Sequence, residues 1–251
     1  MNTTKRCIIS WATRGREDYP QGLKKLIPSL LKTNTMEPLG FIIFCPDFEA
    51  DEFEGVKINR KIPDNFPIPS HQAVPYGFKP WLFRLAFNGG FDQVLWCDST
   101  IVCHKPLDPI WKIMEERGIF AADNPGCPMR VWTADDAMRK MGCPFEKPED
   151  AMFNEIMACA LGIDIRHPKS REAFSEWWDL CNDGVTFAGR EGSKRPEFRG
   201  HRHDQSAMSW LVEKYGIERE AYGRLLYHGT DMQKFPDFIL ANTGIGQDPY
   251  A

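Results

Sequence analysis

No two of the eight cysteines form a CxxC pair, and several (Cys7, Cys45, Cys97) sit inside apolar runs. That scatter fits reduced, buried thiols better than a disulfide framework or a zinc site. No apolar run approaches the roughly 20 residues that span a bilayer. Met1 to Arg6 lead straight into an apolar stretch without a signal-type core, so a cytoplasmic location is the expectation. Neither glycine fingerprint of a phosphate loop is present, of the dinucleotide or the P-loop kind, which weighs against kinase and dehydrogenase chemistry. Internal repeats and low-complexity segments are also missing. A net charge of −4 argues against generic binding to nucleic acid or an acidic membrane, leaving room for a local basic patch.

What is present is a chain of 251 residues, 42% of them hydrophobic, enough to bury a sizeable core. Cys7 to Trp11 has the composition of a core strand, Gly22 to Lys32 has helical spacing, and Leu39 to Cys45 is a second strand. Strand, helix, strand at this spacing implies a right-handed parallel unit. The proline-rich stretch from Ile62 to Pro80 is too long for an ordinary connection, and a helix from Trp81 to Asn88 follows it, stopped by Gly89-Gly90. Further helices are predicted over Ile110 to Arg117, Ala134 to Met141, Ala151 to Leu161 and Ser170 to Cys181, with a strand over Ile119 to Ala122.

The stretch with most chemistry is Val94-Leu95-Trp96-Cys97, a strand buried on both faces, running out into Asp98-Ser99-Thr100. Ligands of open α/β sheets collect beyond the carboxyl ends of the strands, and a carboxylate with two hydroxyls suits a cation, a ribose or a phosphate there. A polar turn closing a core strand explains the same residues. The loop Ala12-Thr13-Arg14 after the first strand falls on the same sheet edge, where Arg14 can meet phosphate. Lys79 stands just before a predicted helix start, a position where a cation gains nothing from the helix dipole unless it meets an anion. A snorkelling surface lysine is the competing explanation.

Two clusters come late. Arg190 to Arg202 is a strongly basic segment that leads into His203-Asp204-Gln205 at the start of a helix, and Leu225-Leu226-Tyr227-His228-Gly229 reads as a short strand followed by Lys234. Asp204 suits the positive end of a helix dipole without any further role. A histidine at a strand end is either a hydrogen-bonded structural residue or a ligand.

Taken together, Lys79-Pro80, a helix, then Phe91 to Ile101 with Asp98 at the strand tip resemble the sugar-nucleotide core of GT-A-fold glycosyltransferases, whose strand ends in a DxD motif. His203-Asp204-Gln205-Ser206 resembles the late Asp-Gln signature of family 8 and of bacterial capsule-type transferases, and Tyr227-His228-Gly229 with Lys234 is similar to the His-Gly-Lys element of family 8. The resemblance runs from about Cys7 to Lys234. It implies an α/β fold with a mixed, mostly parallel sheet flanked by helices, in one domain whose residues 1–125 form the nucleotide-binding half and 126–251 the acceptor side. It implies an enzyme that moves a sugar from a nucleoside-diphosphate sugar, a UDP-sugar favoured, to a hydroxyl of a glycan, a lipid-linked glycan or a modified base of viral DNA. Ala12, Thr13, Arg14, Lys79, Asp98, Ser99, Thr100, His203 and Lys234 would hold the donor, Asp98 and His228 a Mn²⁺ or Mg²⁺ ion, and Asp204 with Gln205 would face the sugar. The basic segment would close as a lid. Thr100 departs from the family in standing where the second acid of DxD is usual. A non-catalytic nucleotide-sugar-binding module is the reading that this loss favours.

Overall fold

The computed structural model describes residues 4–13, 18–34, 39–46, 53–68, 70–229 and 234–242, without the side chains of Asp18 and Pro20. The chain opens with β1 (Arg6–Trp11), α1 (Asp18–Thr33), β2 (Gly40–Phe44) and β3 (Ile58–Asn59). It continues through α2 (Phe78–Asn88), β4 (Gln93–Cys97), β5 (Ile101–Cys103), α3 (Asp108–Arg117), β6 (Ile119–Phe120) and β7 (Asp123–Pro128). Then come α4 (Met129–Trp132), α5 (Asp135–Met141), β8 (Asn154–Ile156), β9 (Ala160–Asp164) and α6 (Pro168–Asn182). The last elements are α7 (Asp204–Lys214), β10 (Leu226–His228) and β11 (Leu240–Asn242).

Six strands make the main sheet in the order β3-β2-β1-β4-β9-β6. β3, β2, β1 and β4 run parallel, and β9 alone is antiparallel to its neighbours β4 and β6. Both faces are covered, which is why the strands carry continuous apolar runs instead of alternating ones. Alternation survives as a division of the core between faces. Val94 and Trp96 pack with α2, α6 and α7 residues such as Phe83, Trp177 and Leu211, while Leu95 and Cys97 pack with α1 and α3 through Leu26, Ile27 and Trp111. A three-stranded sheet, β10-β11-β5, hangs on the main one through the tight turn from Asp98 to Ile101.

The structure departs from the sequence reading in three places. The segment 151–161, predicted as a helix, forms β8, which pairs with β7, and the start of β9, where the slot between β4 and β6 demands an extended strand whose five residues are all buried. Pairing and burial outweigh the helical preference of Ala, Met and Leu. Helix α2 begins at Phe78 rather than Trp81, so Lys79 lies inside its first turn, with Pro80 tolerated beside it. The strand predicted over Ile119 to Ala122 ends at Phe120, and a separate strand, β7, opens at Asp123. Residues of both halves of the chain share the main sheet, since β9 sits between β4 and β6.

Candidate functional site

Parity along β4 aims the site. Asp98 follows Trp96 by two and inherits its face, the one covered by α2 and α7. The indole Nε1 of Trp96 donates to Asp98 Oδ1 at 2.7 Å. Ser99, in the turn that follows, is buried, and its backbone lies against α1. The approach is so close that a Cβ on Gly22 of α1 would collide with the Ser99 carbonyl oxygen.

Lys79 reaches into the same place from the first turn of α2. Its ammonium lies 2.9 Å from Asp204 Oδ2 and 3.7 Å from Asp98 Oδ1, and donates to the Ala158 carbonyl at 3.0 Å. The rings of Tyr76 and Trp96 flank it at 5.3 and 5.1 Å. Burial works against the charge on Lys79, but the Asp204 and Asp98 carboxylates outweigh it and hold the ammonium above the usual lysine range. Burial pushes the Asp98 carboxyl up, and the pull of Lys79 and Trp96 offsets that only in part. Two carboxylates on one ammonium leave the cluster with a net negative charge.

A cavity of about 680 Å³ opens over this cluster at the carboxyl end of β4, and Lys79, Asp98, His203, Asp204, Gln205 and His228 all line it. His228 gets there through the small sheet: it pairs with Asn242, which pairs with Ile101 at the end of the Asp98 turn. Two strand spacings put the His228 and Ile101 backbones about 10 Å apart. His203 precedes α7 with φ 53 and ψ −115, a conformation strained for any residue with a side chain. Its Nδ1 is 2.8 Å from the Phe187 carbonyl, so Nδ1 donates there. Tyr76, the residue it faces at 5.8 Å between ring centroids, also has positive φ.

A second cavity of about 580 Å³ adjoins the first and shares Tyr76 with it. Trp11, Thr13, Tyr19, His71 and Phe78 line it, and Trp11 stacks on Phe44, Phe66 and Phe78.

Other candidate residues go elsewhere. Ala12 is fully buried in the core, its N–H donating to Phe44 O, and Thr13 belongs to the second cavity only. Ser99 and Thr100 line neither cavity. Lys234 is exposed, with its ammonium 5.7 Å from the ring of Phe235, and lines neither cavity. Arg14 lies outside the described residues. The basic segment, expected to close as a lid, is tied to α4 and α5 at three of its arginines. Arg195 Nε is 2.9 Å from Asp135 Oδ1, the Arg199 and Arg202 N–H groups donate to Val131 O and Trp132 O, and Arg202 stacks over Trp132 at 3.9 Å.

Sequence reasoning missed Tyr76, Ala158 and Glu155. Glu155 is fully buried beneath Gln205, inside the segment misread as a helix. The Trp96–Asp98 contact was readable in principle, since an indole two residues before a strand-end carboxylate shares its face.

Among the described residues no cluster of three His, Cys, Asp or Glu side chains surrounds a common point. The donor set nevertheless suits a hard divalent ion in company with phosphate. Asp98 Oδ2 has no partner among the described residues, His228 is exposed at the same cavity, and the net negative cluster attracts a cation. No helix of the described residues is long and apolar enough to cross a membrane.

No protein-family model and no curated protein sequence matches the chain. Solved structures of glycosyltransferases are among those that share its fold. One is the galactosyltransferase LgtC in complex with donor and acceptor sugar analogues, 14% identical, covering 98% of this chain and 89% of its own with a TM-score of 0.50. Another is the WbbM bifunctional glycosyltransferase in its apo form, 12% identical with a TM-score of 0.55; the match covers 99% of this chain and only 47% of WbbM. At such identities the likeness concerns architecture alone, and that architecture is the GT-A type of α/β fold, a mostly parallel sheet flanked by helices.

Proposed function

We propose that this chain is a glycosyltransferase that moves a sugar from a nucleoside-diphosphate sugar, a UDP-sugar favoured, to a hydroxyl of a glycan or lipid-linked glycan. The observation that carries the reading is the buried Lys79 held between Asp98 and Asp204 at the floor of a cavity beyond a parallel strand. Breaking the sugar–phosphate bond puts negative charge on the leaving diphosphate and positive charge on the anomeric carbon, and fixed charges of both signs answer both. The likeness of fold to two glycosyltransferases supports the same reading.

The aromatic second cavity suits the base, because every base offers a face to stack. Past Tyr76 the diphosphate enters the larger cavity. Asp98 Oδ2 and His228 would hold a Mn²⁺ or Mg²⁺ ion there, which would neutralise phosphate charge, with phosphate and water filling its other positions. Asp204 is engaged by Lys79 at 2.9 Å, so it suits charge stabilisation at the sugar better than proton removal from the acceptor. His203 lines the same cavity, its ring held by the Phe187 carbonyl. The Asp204-Gln205 and His228-Gly229 elements argue for a place near family 8, with Thr100 as the departure. Arg195 and Arg202 already have Asp135 and Glu155 as partners, which leaves the basic segment a poor match for DNA phosphates.

A thermal-shift panel of UDP-, GDP-, CMP- and TDP-sugars, with and without Mn²⁺, tests this directly. At least one nucleotide sugar should raise the melting temperature, and slow hydrolysis of that sugar without acceptor separates an enzyme from the binding module that Thr100 would favour. A panel that leaves melting unchanged throughout defeats the reading.

A further inference from the structure

The deepest charge near the cavity belongs to a residue that does not line it. Glu155 of β8 is fully buried, and its carboxylate gathers the start of α7. Oε1 accepts from Ser206 Oγ at 2.6 Å and Thr133 Oγ1 at 3.2 Å, and Oε2 accepts from Gln205 Nε2 at 2.8 Å. Arg202 Nη1 stands 3.7 Å from Oε2. An ionised carboxylate only accepts, so it dictates which way round the Gln205 amide sits: nitrogen to Glu155, carbonyl oxygen away. Gln205 lines the large cavity, and no described residue donates to its Oε1.

We propose that Glu155 is a positioning residue that locks the Gln205 amide with its carbonyl oxygen turned to the cavity, where it accepts a hydrogen bond from a sugar hydroxyl of the donor. The lock stands on the geometry alone, while the hydroxyl rests on the nucleotide-sugar reading above. Protonation undoes the lock. A neutral Glu155 can itself donate to the amide oxygen, which frees Gln205 to present its NH₂ group instead. Burial raises the Glu155 carboxyl to about 7, against the pull of the Ser206, Gln205 and Thr133 hydrogen bonds and of Arg202. The change therefore falls near neutral pH. The surrounding elements add little other charge. From α7, Asp204 is turned to Lys79; from α5, Asp135 is held by Arg195; from β7, Asp123 is bound by Asn154 and lies 3.6 Å from Arg219.

The test uses the whole chain. In ¹H–¹⁵N spectra, the Gln205 side-chain NH₂ pair, identified by its loss in Gln205→Ala, should shift with pH about a midpoint near 7 in the parent protein and stay flat in Glu155→Gln. At pH 8, Glu155→Gln should bind UDP-glucose or UDP-galactose roughly three- to tenfold more weakly and UDP itself unchanged, the loss of one oriented hydrogen bond. The parent should show the same loss on going from pH 8 to pH 6. A Gln205 resonance that ignores pH, or one that titrates equally in both proteins, overturns the lock; in a parent that binds the UDP-sugars, unchanged affinity for both in Glu155→Gln overturns the hydroxyl contact. If the parent binds neither UDP nor the UDP-sugars, the nucleotide-sugar reading and the hydroxyl contact fall together, and the amide titration of the free protein still passes judgement on the lock.

Discussion

Lys79 Nζ and Asp204 Oδ2 meet at 2.9 Å with side chains 6% and 5% exposed, joining the first turn of α2 to the first turn of α7. A cation at one helix N-terminus is unfavourable by itself, and a carboxylate at the other is favourable. The pair resolves the first problem with the second. Replacing Lys79 by Met leaves Asp204 buried without its partner and should cost about 3–5 kcal/mol in urea unfolding. Adding Asp204→Asn to that variant should restore part of the loss; a double variant no more stable than Lys79→Met would show that the charges are not coupled.

Asp98→Asn keeps an oxygen for the Trp96 indole and removes the negative charge at the cavity floor. The expected outcome is a protein that folds normally and loses the Mn²⁺-dependent part of any melting shift given by a nucleotide sugar. An unchanged Mn²⁺ response would place the ion elsewhere.

Gly22 reads in sequence as a weak point in a helix, where alanine ordinarily gains about 1 kcal/mol. Here the added methyl would meet the Ser99 carbonyl, so Gly22→Ala should destabilise by roughly 1–3 kcal/mol instead. Because the Asp98 turn is what moves aside, ligand-induced stabilisation should fall as well. A gain in melting temperature would contradict this packing.

His203 sits at φ 53 and ψ −115, a backbone state that only glycine adopts freely. His203→Ala and His203→Gly remove the same imidazole and its bond to Phe187 O. The glycine variant should be the more stable of the two by on the order of 1 kcal/mol, measured by denaturant midpoint.

Glu155 makes stability depend on pH with a definite sign. Its carboxyl titrates near 7 in the native state against an ordinary 4.5. Between these values the unfolded chain sheds a proton that the native state keeps, so stability present below 4.5 is lost as pH climbs to 7, by on the order of 3 kcal/mol. His201, lowered to about 4 first by burial and then by His203, acts in the opposite direction. Comparing Glu155→Gln with the parent cancels His201. The variant's melting temperature relative to the parent should be higher at pH 8 than at pH 5; an equal difference at both values would mean that Glu155 titrates normally.

The central strand, its polar tip and the start of α7 were legible because their signals are local. Val94 to Cys97 is a continuous apolar run, and a carboxylate at a helix start follows from the dipole. The errors fell where long-range pairing overrode local preference. Residues 151–161 favour a helix by composition and become strands because β8 pairs with β7 and β4 and β6 leave a gap for β9. That misreading hid Ala158, whose carbonyl holds Lys79, and Glu155, which holds Gln205. Ala12 and Ser99 were chosen by proximity in sequence to a motif and Lys234 by its likeness to the His-Gly-Lys element, and none of the three lines the large cavity.

By itself, the amino-acid sequence determined which residue types stand at strand tips and helix starts, since periodicity, burial preference and helix dipoles act over a few residues. Only the tertiary structure decided which of them share a cavity. Strand parity sends Asp98 toward α2, the turn after it lays the Ser99 backbone against α1, and the order of strands brings His228 beside that turn. Those outcomes depend on contacts between distant segments, and no short window of sequence contains both partners.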